Sequence, residues 1–420
     1  MNEARPVALF VPTLKGGGAE RMMIQLGAAL ADCGHRVDLV VGRASGRYFH
    51  LVPASLRLVL LQPAGDSVRE QIPADLPLLE LRSRTTFAAL RSFLRLPGHW
   101  RWLFPLFFSR YGRRLLRMIP ALTEYLRDQQ PTALLSALTR ANVVAVVGKL
   151  LSNTATRIVV SERNHLSRAA ANADRCFVKR GDLARHFYPL ADACVGVSEG
   201  VADDLSDLID MSREKIVAVK NPVVTAELAS RAAESIDHPW LATGGPPVVL
   251  AVGRLTTQKD YPTLLRAVDL VRRSRPIRLL ILGSGPERES LIALANELEL
   301  GELVDFHGFA ENPYGFMARA SVFVLASAWE GSPNALVEAM ACGCPVVSTD
   351  CPSGPAEILN DARYGKLVPV GDSEALSRAI SELLDDPTDG SLLREAAARY
   401  SCEASAEHYE RILGIAPITP

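Results

Sequence analysis

Short apolar runs alternate along the chain with longer amphipathic segments. Strands are predicted from the apolar runs at residues 7–14, 35–42, 132–138, 157–162, within 193–205, 248–255, 277–285, 303–309, 322–327, 345–349 and 365–370. Segments with a helical period separate them, for example "MMIQLGAALADCG", "YPTLLRAVDLVRR" and "SEALSRAISELLDD". Buried strands that alternate with helices are typical of parallel α/β folds.

The alternation occurs in both halves of the chain, and a polar connector rich in proline and glycine lies between them at residues 234–247. We therefore predict two Rossmann-like domains facing each other across a deep cleft. The first domain would span 1–215 and the second 216–400, and 401–420 would form a closing helix and tail. Ligands of open α/β sheets bind outside the carboxyl ends of the strands. The expected site is therefore the cleft between the domains.

One predicted helix, which begins near Pro333, is apolar on nearly every side but contains Glu338. A buried carboxylate is costly unless a partner satisfies it. Ser332 is the expected N-cap and Pro333 suits the first helical position, so the helix start predicts an anion site. Glu330 lies eight residues before Glu338. The two carboxylates would accept hydrogen bonds from the vicinal hydroxyls of a ribose or a hexose.

Other strand ends carry cations or glycines. Arg254 and Lys259 follow the strand at 248–255, where they would neutralise a diphosphate. Gly17 and Gly18 in "KGGGAER", and Gly283 in "GSGPER", would let the backbone approach phosphate. Taken alone, each cation could be a surface charge and each glycine could serve only a tight turn.

Composition narrows the function. With 48% hydrophobic and 22% charged residues, the 420-residue chain is globular, and its net charge of −1 argues against a general polyanion binder. The seven cysteines include one C-x-C pair, with neither a second pair nor a nearby histidine to complete a metal site. They indicate buried thiols in a reducing cytosol. No signal-peptide pattern and no apolar run of about 18 residues is found.

Residues 82–118 form a segment rich in arginine and aromatic residues, with no acidic residue between Glu80 and Glu124. We call it the basic aromatic insert. Its arginines would attract anionic headgroups, and its aromatic rings could embed in a bilayer interface. We predict binding to an anionic membrane surface. The alternatives are a domain-packing insert with solvated arginines, or a nucleic-acid site, which no other feature supports.

Together, "VGRLTTQKDYPTLLRAV" and "VFVLASAWEGSPNALVEAMACGCPVVSTDCPSGPAEIL" resemble the retaining nucleotide-sugar glycosyltransferases of family 4. The resemblance is most specific in E-x7-E, A-M-A-C-G and P-V-V-S-T-D, and "GGGAER" and "KNPVV" also fit. It covers nearly the whole chain, least clearly residues 43–130. It implies the GT-B type of fold, with two Rossmann-like domains around a deep cleft. In such a fold the domain at 1–215 would bind the acceptor and the domain at 216–400 would bind the nucleotide-sugar donor.

The resemblance also implies roles for individual residues. Glu330 would contact the donor hexose and Glu338 the ribose. Arg254 and Lys259 would bind the donor diphosphate. The full set expected to bind the donor or act in transfer is Glu330, Arg254, Lys259, Gly17, Gly18, Glu338, Ser332, Pro333, Asn334 and Gly283.

The N-terminal half departs from the family. Many members place a histidine beside the donor sugar, but the matching segment here reads "SALTRANVV". Paired with "SERNHLSR", this segment resembles the subgroup that acts on lipid-linked or surface-polysaccharide acceptors. The acceptor-side candidates are Arg140, Asn142, Glu162, Arg163, Asn164 and His165. A lone loop histidine such as His165 can equally be structural.

The resulting hypothesis is a retaining transfer of a hexosyl or N-acetylhexosaminyl group, with a UDP-sugar as the expected donor. No metal or other cofactor is expected. The acceptor would be a glycan, lipid-linked, at the inner face of the cytoplasmic membrane, and no nucleic acid is expected. The alternatives are a hydrolysing sugar-nucleotide epimerase and a non-catalytic sugar-nucleotide-binding protein. A dinucleotide oxidoreductase is disfavoured because G-x-G-x-x-G is missing after the first strand.

Overall fold

The computed structural model describes residues 5–81, 98–99, 103–104, 108, 110–171, 180–242 and 244–416. The chain divides into two compact units. Unit 1 comprises Met1–Pro222 and Cys402–Pro420, and unit 2 comprises Val223–Ser401.

Unit 1 is built on an eight-stranded parallel sheet. Its strands are β1 (Val7–Val11), β2 (Val37–Val41), β3 (Leu56–Leu60), β4 (Leu78–Glu80), β5 (Ala133–Ala137), β6 (Arg157–Glu162), β7 (Ala193–Gly196) and β8 (Ile216–Ala218). Their order is β4-β3-β2-β1-β5-β6-β7-β8, so the strand order reverses between β1 and β5. Ligands of such sheets bind beyond the carboxyl ends at this switch point.

Helices cover the sheet of unit 1. They are α1 (Gly18–Asp32), α2 (Asp66–Arg69), α3 (Arg110–Gln129), α4 (Thr139–Ser152), α5 (Leu166–Ala171), α6 (Arg180–Phe187), α7 (Glu199–Ile209) and the C-terminal helix, Cys402–Leu413. The C-terminal helix packs against α1. His35 Nε2 lies 2.7 Å from Glu410 Oε1 at this contact. The last helix therefore belongs to the hydrophobic core of unit 1.

Unit 2 has a six-stranded parallel sheet. Its strands are β9 (Val248–Val252), β10 (Arg278–Leu282), β11 (Val304–Gly308), β12 (Val322–Leu325), β13 (Val346–Thr349) and β14 (Lys366–Val368). They are arranged β11-β10-β9-β12-β13-β14, which is the 3-2-1-4-5-6 order of Rossmann folds. The switch point lies between β9 and β12. The sequence predicts the candidate donor residues after these same two strands.

The helices of unit 2 complete the layers. They are α8 (Leu228–Ala233), α9 (Tyr261–Arg272), α10 (Arg288–Glu297), α11 (Pro313–Met317), α12 (Asn334–Ala341), α13 (Pro355–Leu359), α14 (Ser373–Asp385) and α15 (Gly390–Ala397), so that the C-terminal helix of unit 1 is α16. The predicted fold class, two Rossmann-like parallel α/β domains, is confirmed.

The strand prediction missed β3, β4 and β8, and no helix was predicted over α3. Strand β3 includes Arg57, and its neighbour β2 includes Asp38, so neither is uniformly apolar. The structure explains both charges, because Arg57 binds the buried Asp38 carboxylate through Nε at 2.8 Å and Nη2 at 2.5 Å. Tyr125 Oη donates to the same carboxylate at 2.6 Å. A tertiary network therefore supports polar residues within the sheet.

The basic aromatic insert lies largely outside the described residues. Of its described part, Leu103 is buried in the core, and residues 110–118 belong to α3. Phe104 and Phe108 expose 45% and 66% of their surface, and their rings meet edge to face at 5.2 Å. Throughout the described chain, no helix combines the length and apolarity needed to cross a membrane.

Candidate active site at the switch points

Glu330 is the centre of the candidate site in unit 2. It lies in the loop after β12 and is buried, with 6% of its surface exposed. Its Oε1 atom accepts hydrogen bonds from Lys259 Nζ at 2.5 Å and from Ser327 Oγ at 2.6 Å. Among the described residues no group bonds to Oε2. The carboxylate is therefore fixed by one oxygen, and the other remains an acceptor for a ligand hydroxyl.

The loop that carries Glu330 is itself held in place. The Ala328 N–H donates to the backbone oxygen of Gln258 at 2.8 Å, and Gln258 Nε2 donates to Trp329 O at 2.9 Å. Thr349 Oγ1 donates to Ser327 O at 2.6 Å. Three hydrogen bonds to two neighbouring segments thus fix the position of the carboxylate before any ligand arrives.

The charge of Glu330 contributes to the raised pKa of two neighbouring groups. Burial, with the Glu330 carboxylate as a second cause, raises the pKa of Tyr261 above its ordinary value. The same two causes raise the pKa of the Cys351 thiol to about 12. Lys259 is the cation that compensates this carboxylate, and its ammonium has three donors, of which the described contacts use one. The others can bind an anionic ligand.

Arg254 follows β9 and is exposed. It has no hydrogen-bond or ion-pair partner within the described part of the chain. An unpaired guanidinium at the carboxyl end of β9 is available for bidentate binding of phosphate. The structure therefore places both predicted cations at the switch point, with Lys259 already bound to Glu330 and Arg254 open to solvent.

The start of α12 differs from the prediction. Pro333, with φ −73° and ψ 97°, is the N-cap, and Ser332 is not. Leu336 N donates to Pro333 O at 3.0 Å to close the first turn, and no side chain of the N-cap residue covers the helix start. The proline ring packs against Gly354, which has φ 95° and where a Cβ would lie 2.6 Å from Pro333 Cδ. This packing fixes the turn in place of a serine cap.

Glu338 is buried within α12, as predicted, with 6% of its surface exposed. Tyr314 Oη lies 3.4 Å from its Oε1 atom. Burial, with the Glu338 carboxylate as a second cause, raises the pKa of the Cys342 thiol to about 12. Asn334 is the first residue of α12 and is half-buried.

Gly283 serves the packing of two strand-end loops. It has φ 143°, and a Cβ at this position would overlap the carbonyl oxygen of Gly253 in the loop after β9. Its N–H donates to Gly308 O at 2.6 Å. Packing of these two loops therefore requires glycine at this position, independently of any ligand.

The glycine loop after β1 holds an acid that the sequence analysis did not single out. Gly17 is the N-cap of α1, directly before Gly18, and a Cβ on Gly17 would overlap the Glu20 carboxylate. Glu20 is buried, with 8% exposed. A carboxylate at this helix start already uses the favourable electrostatic field there, so a diphosphate at the same position would need an accompanying cation.

A buried polar network lies beyond β5 and β6 of unit 1. Asn142 is fully buried; its Nδ2 donates to Tyr188 Oη at 2.7 Å and to Ser161 O at 2.9 Å, and its Oδ1 accepts from Ser136 at 2.7 Å. Tyr188 in turn donates to Glu162 Oε2 at 2.7 Å. Asn142, predicted on the acceptor side, is therefore engaged in the core.

Glu162, the last residue of β6, also belongs to this network. Thr139 Oγ1 donates to its Oε2 atom at 2.9 Å, and only 3% of the residue is exposed. Burial, followed by the Glu162 charge, holds the pKa of Tyr188 well above its ordinary value. Arg140, the next residue of α4, is half-buried.

Arg163 binds two distant segments of unit 1. Its Nη1 donates to Asn221 Oδ1 at 3.0 Å, and its Nη2 donates to Tyr409 Oη at 3.2 Å. Its buried Nε has no described hydrogen-bond partner. Asn221 directly precedes Pro222, where unit 1 ends, and Tyr409 lies on α16. Arg163 therefore connects the carboxyl end of β6 to the end of the first chain segment of unit 1 and to α16.

Asn164 and His165 complete the acceptor-side candidates. Asn164 Oδ1 accepts from the backbone N–H of His165 at 2.9 Å. His165 Nδ1 lies 3.1 Å from Asp204 Oδ1 on α7. Asp204 was not predicted, but a sequence signal exists, because it occupies the apolar face of an amphipathic helix between Ala202 and Leu205. Ser327 and Gln258 were also missed.

One group in unit 2 has metal-ligand residue types: His238, Asp305 and His307. His238 Nδ1 accepts the Trp240 N–H at 3.2 Å, so its Nε2 carries the proton and donates to Asp305 Oδ2 at 3.0 Å. A protonated nitrogen cannot coordinate a metal. This edge-strand group is therefore a hydrogen-bonded cluster as long as both bonds persist.

Comparison with known proteins identifies the family and supports the fold. Residues 16–227, half of the chain, match the family Glycosyltransferase Family 4, and residues 233–403 match Glycosyl transferases group 1. An N-acetylgalactosamine-N,N'-diacetylbacillosaminyl-diphospho-undecaprenol 4-alpha-N-acetylgalactosaminyltransferase of Campylobacter jejuni is 28% identical over 381 residues, 90% of each chain. The lipopolysaccharide core biosynthesis glycosyltransferase LpsE of Rhizobium meliloti is 32% identical over 236 residues, 55% of this chain and 66% of LpsE.

Solved structures share the fold. Anabaena HepE in complex with UDP-glucose is similar with a TM-score of 0.71 at 16% identity, over 98% of this chain and 99% of HepE. The lipopolysaccharide outer core galactosyltransferase WaaB is similar with a TM-score of 0.65 at 17% identity, over 97% and 99% of the two chains. With half of its length matched by the family model, the chain belongs to Glycosyltransferase Family 4 and is a glycosyltransferase.

Proposed function

We propose that this glycosyltransferase retains the anomeric configuration and moves a hexosyl or N-acetylhexosaminyl group from a UDP-sugar to a lipid-linked glycan in the assembly of a cell-surface polysaccharide. The observation that carries the proposal is the pair formed by Lys259 and Glu330 at the switch point of unit 2. It combines a cation for a leaving diphosphate with a carboxylate that has an open oxygen. HepE binds UDP-glucose, and the Campylobacter relative is named for a diphospho-undecaprenol acceptor.

The proposed mechanism follows from charge. As the C1–O bond of the donor stretches, negative charge grows on the diphosphate, and Lys259 and Arg254 stabilise it. Glu330 Oε2 accepts a hydroxyl of the hexose, and Glu338 accepts the ribose hydroxyls. Removing one preorganised group that stabilises developing charge costs about 3–4 kcal/mol of barrier.

The acceptor hydroxyl attacks the face that the diphosphate leaves, which gives retention. Its proton passes to the departing phosphate oxygen, so the step balances without a protein base. Lys259, held by Glu330, and the solvent-exposed Arg254 together take the charge-neutralising role that a divalent ion would otherwise have. We therefore expect no metal requirement.

A transfer assay tests the function. The purified chain is incubated with UDP-hexoses, UDP-N-acetylhexosamines and their GDP and ADP counterparts, with polyprenyl-diphosphate-linked saccharides as acceptors and with and without EDTA. The expected product of a UDP-α-sugar is an α-linked glycan by NMR, formed equally well with EDTA. A β-linked product contradicts retention, and release of an epimerised free sugar in place of transfer supports an epimerase.

The membrane part of the proposal rests on the basic aromatic insert and on the exposed rings of Phe104 and Phe108. We expect the protein to sediment with anionic vesicles and much less with neutral ones. The double substitution Phe104→Ser with Phe108→Ser should weaken this binding. Phe309→Ser should not, because Phe309 lies in unit 2, outside the insert, although its exposed fraction of 46% is close to the 45% of Phe104. Equal sedimentation of both variants with wild type contradicts the role of the insert.

A further inference from the structure

His165 is held by the carboxylate of a neighbouring helix. It follows β6, the strand next to β5 in the sheet of unit 1, and its side chain is 16% exposed. Its Nδ1 lies 3.1 Å from Asp204 Oδ1 and 3.2 Å from Ser167 Oγ. Ser167 Oγ also donates to Asp204 Oδ1. One side of the imidazole is therefore enclosed by these polar partners.

The Asp204 carboxylate determines which tautomer of the His165 ring is present. An ionised carboxylate only accepts hydrogen bonds, so the proton of neutral His165 must be on Nδ1. Nε2 then carries a lone pair. No described residue bonds to Nε2. The ring consequently presents a hydrogen-bond acceptor at the carboxyl end of the sheet, where ligands of α/β folds bind.

Asp204 is itself rigidly placed. Its Oδ2 accepts the backbone N–H groups of Leu166 at 2.6 Å and Ser167 at 3.2 Å, which caps the start of α5. Burial alone would raise the pKa of Asp204, but hydrogen bonds from His165 and Ser167 outweigh it and hold the pKa below its ordinary value. Asp204 is thus ionised over the physiological pH range and keeps accepting from Nδ1.

The helix that carries Asp204 approaches the sheet closely. At Gly196, the last residue of β7, a Cβ would lie 2.7 Å from Ala202 N on α7. Ser198 Oγ accepts the Val201 N–H at 3.2 Å and caps the same helix. The position of the carboxylate relative to β6 is therefore fixed by backbone packing.

We propose that His165, oriented by Asp204, is the residue that positions the acceptor: Nε2 accepts a hydrogen bond from a hydroxyl of the acceptor saccharide. The inference rests on the proposed transfer to a saccharide acceptor and adds the residue that orients it. It requires no proton transfer to the ring, because the leaving phosphate takes the proton. Asp204 acts through His165 as a second positioning residue.

Two substitutions at one position separate this role from a structural one. His165→Asn retains a side-chain N–H near the place of Nδ1, so the bond to Asp204 persists, but it removes the acceptor at Nε2. His165→Gln places an amide near the position of Nε2. Transfer to a polyprenyl-diphosphate-linked saccharide is measured against acceptor concentration, together with hydrolysis of the UDP-sugar by water and the melting temperature.

We expect His165→Asn to raise the acceptor KM about tenfold, the effect of one hydrogen bond. The ratio of donor hydrolysis to transfer should rise, and the melting temperature should stay near that of wild type. His165→Gln should recover part of the acceptor affinity. Wild-type acceptor kinetics for His165→Asn, or equal losses in both variants that follow a lowered melting temperature, overturn the inference. Absence of transfer by the wild-type protein with every donor instead contradicts the proposed function.

Discussion

The loops at the carboxyl ends of the two sheets differ in how many hydrogen-bonding positions of their polar side chains remain open. In unit 2, Lys259 and Glu330 bind each other and still have donors and an acceptor left over, and Arg254 is open to solvent. In unit 1, both Oδ1 and Nδ2 of Asn142 are hydrogen-bonded within the protein. Glu162 and Arg163 also have internal partners. These unit 2 side chains keep hydrogen-bonding positions open for a ligand, whereas the three unit 1 side chains are bonded within the protein.

The difference teaches that burial alone does not identify a functional group. Glu330 and Asn142 are both buried polar residues next to a switch point. What separates them is the number of hydrogen-bonding positions that the protein itself leaves open. Glu330 keeps one oxygen, Oε2, without a partner among the described residues, whereas both polar atoms of the Asn142 side chain are hydrogen-bonded within the protein.

The largest expected effect comes from breaking the ion pair of unit 2. Lys259→Ala should lower kcat/KM for the donor about 10²–10³-fold, because one preorganised cation at the leaving diphosphate is lost. It should also destabilise the fold by about 3–5 kcal/mol, since the buried Glu330 is left uncompensated. Activity and urea unfolding measure the two effects.

A double substitution separates those effects. Lys259→Ala with Glu330→Gln removes the uncompensated charge, so stability should largely return while activity stays low. Lys366→Ala is the matched control, because Lys366 pairs with Glu382 at 2.8 Å on the exposed surface of the same unit. If the double variant recovers activity along with stability, the pair is structural and the comparison fails.

The unit 1 network should show the reverse pattern. Asn142→Ala leaves the buried Ser136 hydroxyl without its acceptor and removes one hydrogen bond each from Tyr188 Oη and the Ser161 carbonyl, so we expect a loss of about 2–4 kcal/mol in the free energy of unfolding. The remaining folded enzyme should keep kcat/KM for the donor within about threefold, because this side chain offers nothing to a ligand. A large loss of kcat/KM at wild-type stability would show that Asn142 contacts substrate.

A smaller effect is expected from the residue that orients Glu330. Ser327→Ala removes one of the two donors to Oε1, so the carboxylate gains freedom, and kcat/KM should fall about tenfold with less than about 1.5 kcal/mol lost in stability. Ser348→Ala is the matched control, because this equally buried serine donates to Thr349 O and not to the carboxylate. Similar kinetics for the two variants contradict the positioning role of Ser327.

The sequence singled out two candidate residues of unit 2 for a physical reason, and the predicted burial of Glu338 is confirmed. A carboxylate inside an apolar helix, preceded by a second one in the loop, conflicts with burial unless a ligand or partner is present, so Glu330 and Glu338 stand out. Ser327 and Gln258 could not be found, because a serine at a strand end and a glutamine in a turn have many ordinary roles. Only their distances to Glu330 and its loop distinguish them.

In unit 1 the sequence could not show which of the acceptor-side candidates have hydrogen-bond partners within the protein. Nothing within "SALTRANVV" reveals that Tyr188, 46 residues further along the chain, uses the amide of Asn142. The Ser332 cap was wrong for a similar reason, because packing of Pro333 on Gly354 is a tertiary contact. The parallel α/β class was predictable throughout, since apolar runs and helical periods are local properties.

The smallest effect concerns the acid stability contributed by Asp204. Its pKa lies below the ordinary value of 3.8 in the folded protein. The unfolded chain therefore binds the proton more readily than the folded one, so this contribution is present above about pH 4 and is lost as the pH falls through the folded pKa. Asp204→Asn should accordingly cost about 1 kcal/mol at pH 7, the typical value of a helix cap, and progressively less below pH 4. Urea unfolding of both proteins from pH 7 to pH 3 measures this convergence. A stability difference that stays constant over that range would mean that the cap works through the shape of Asp204, and the rigid ionised partner inferred for His165 would lose its support.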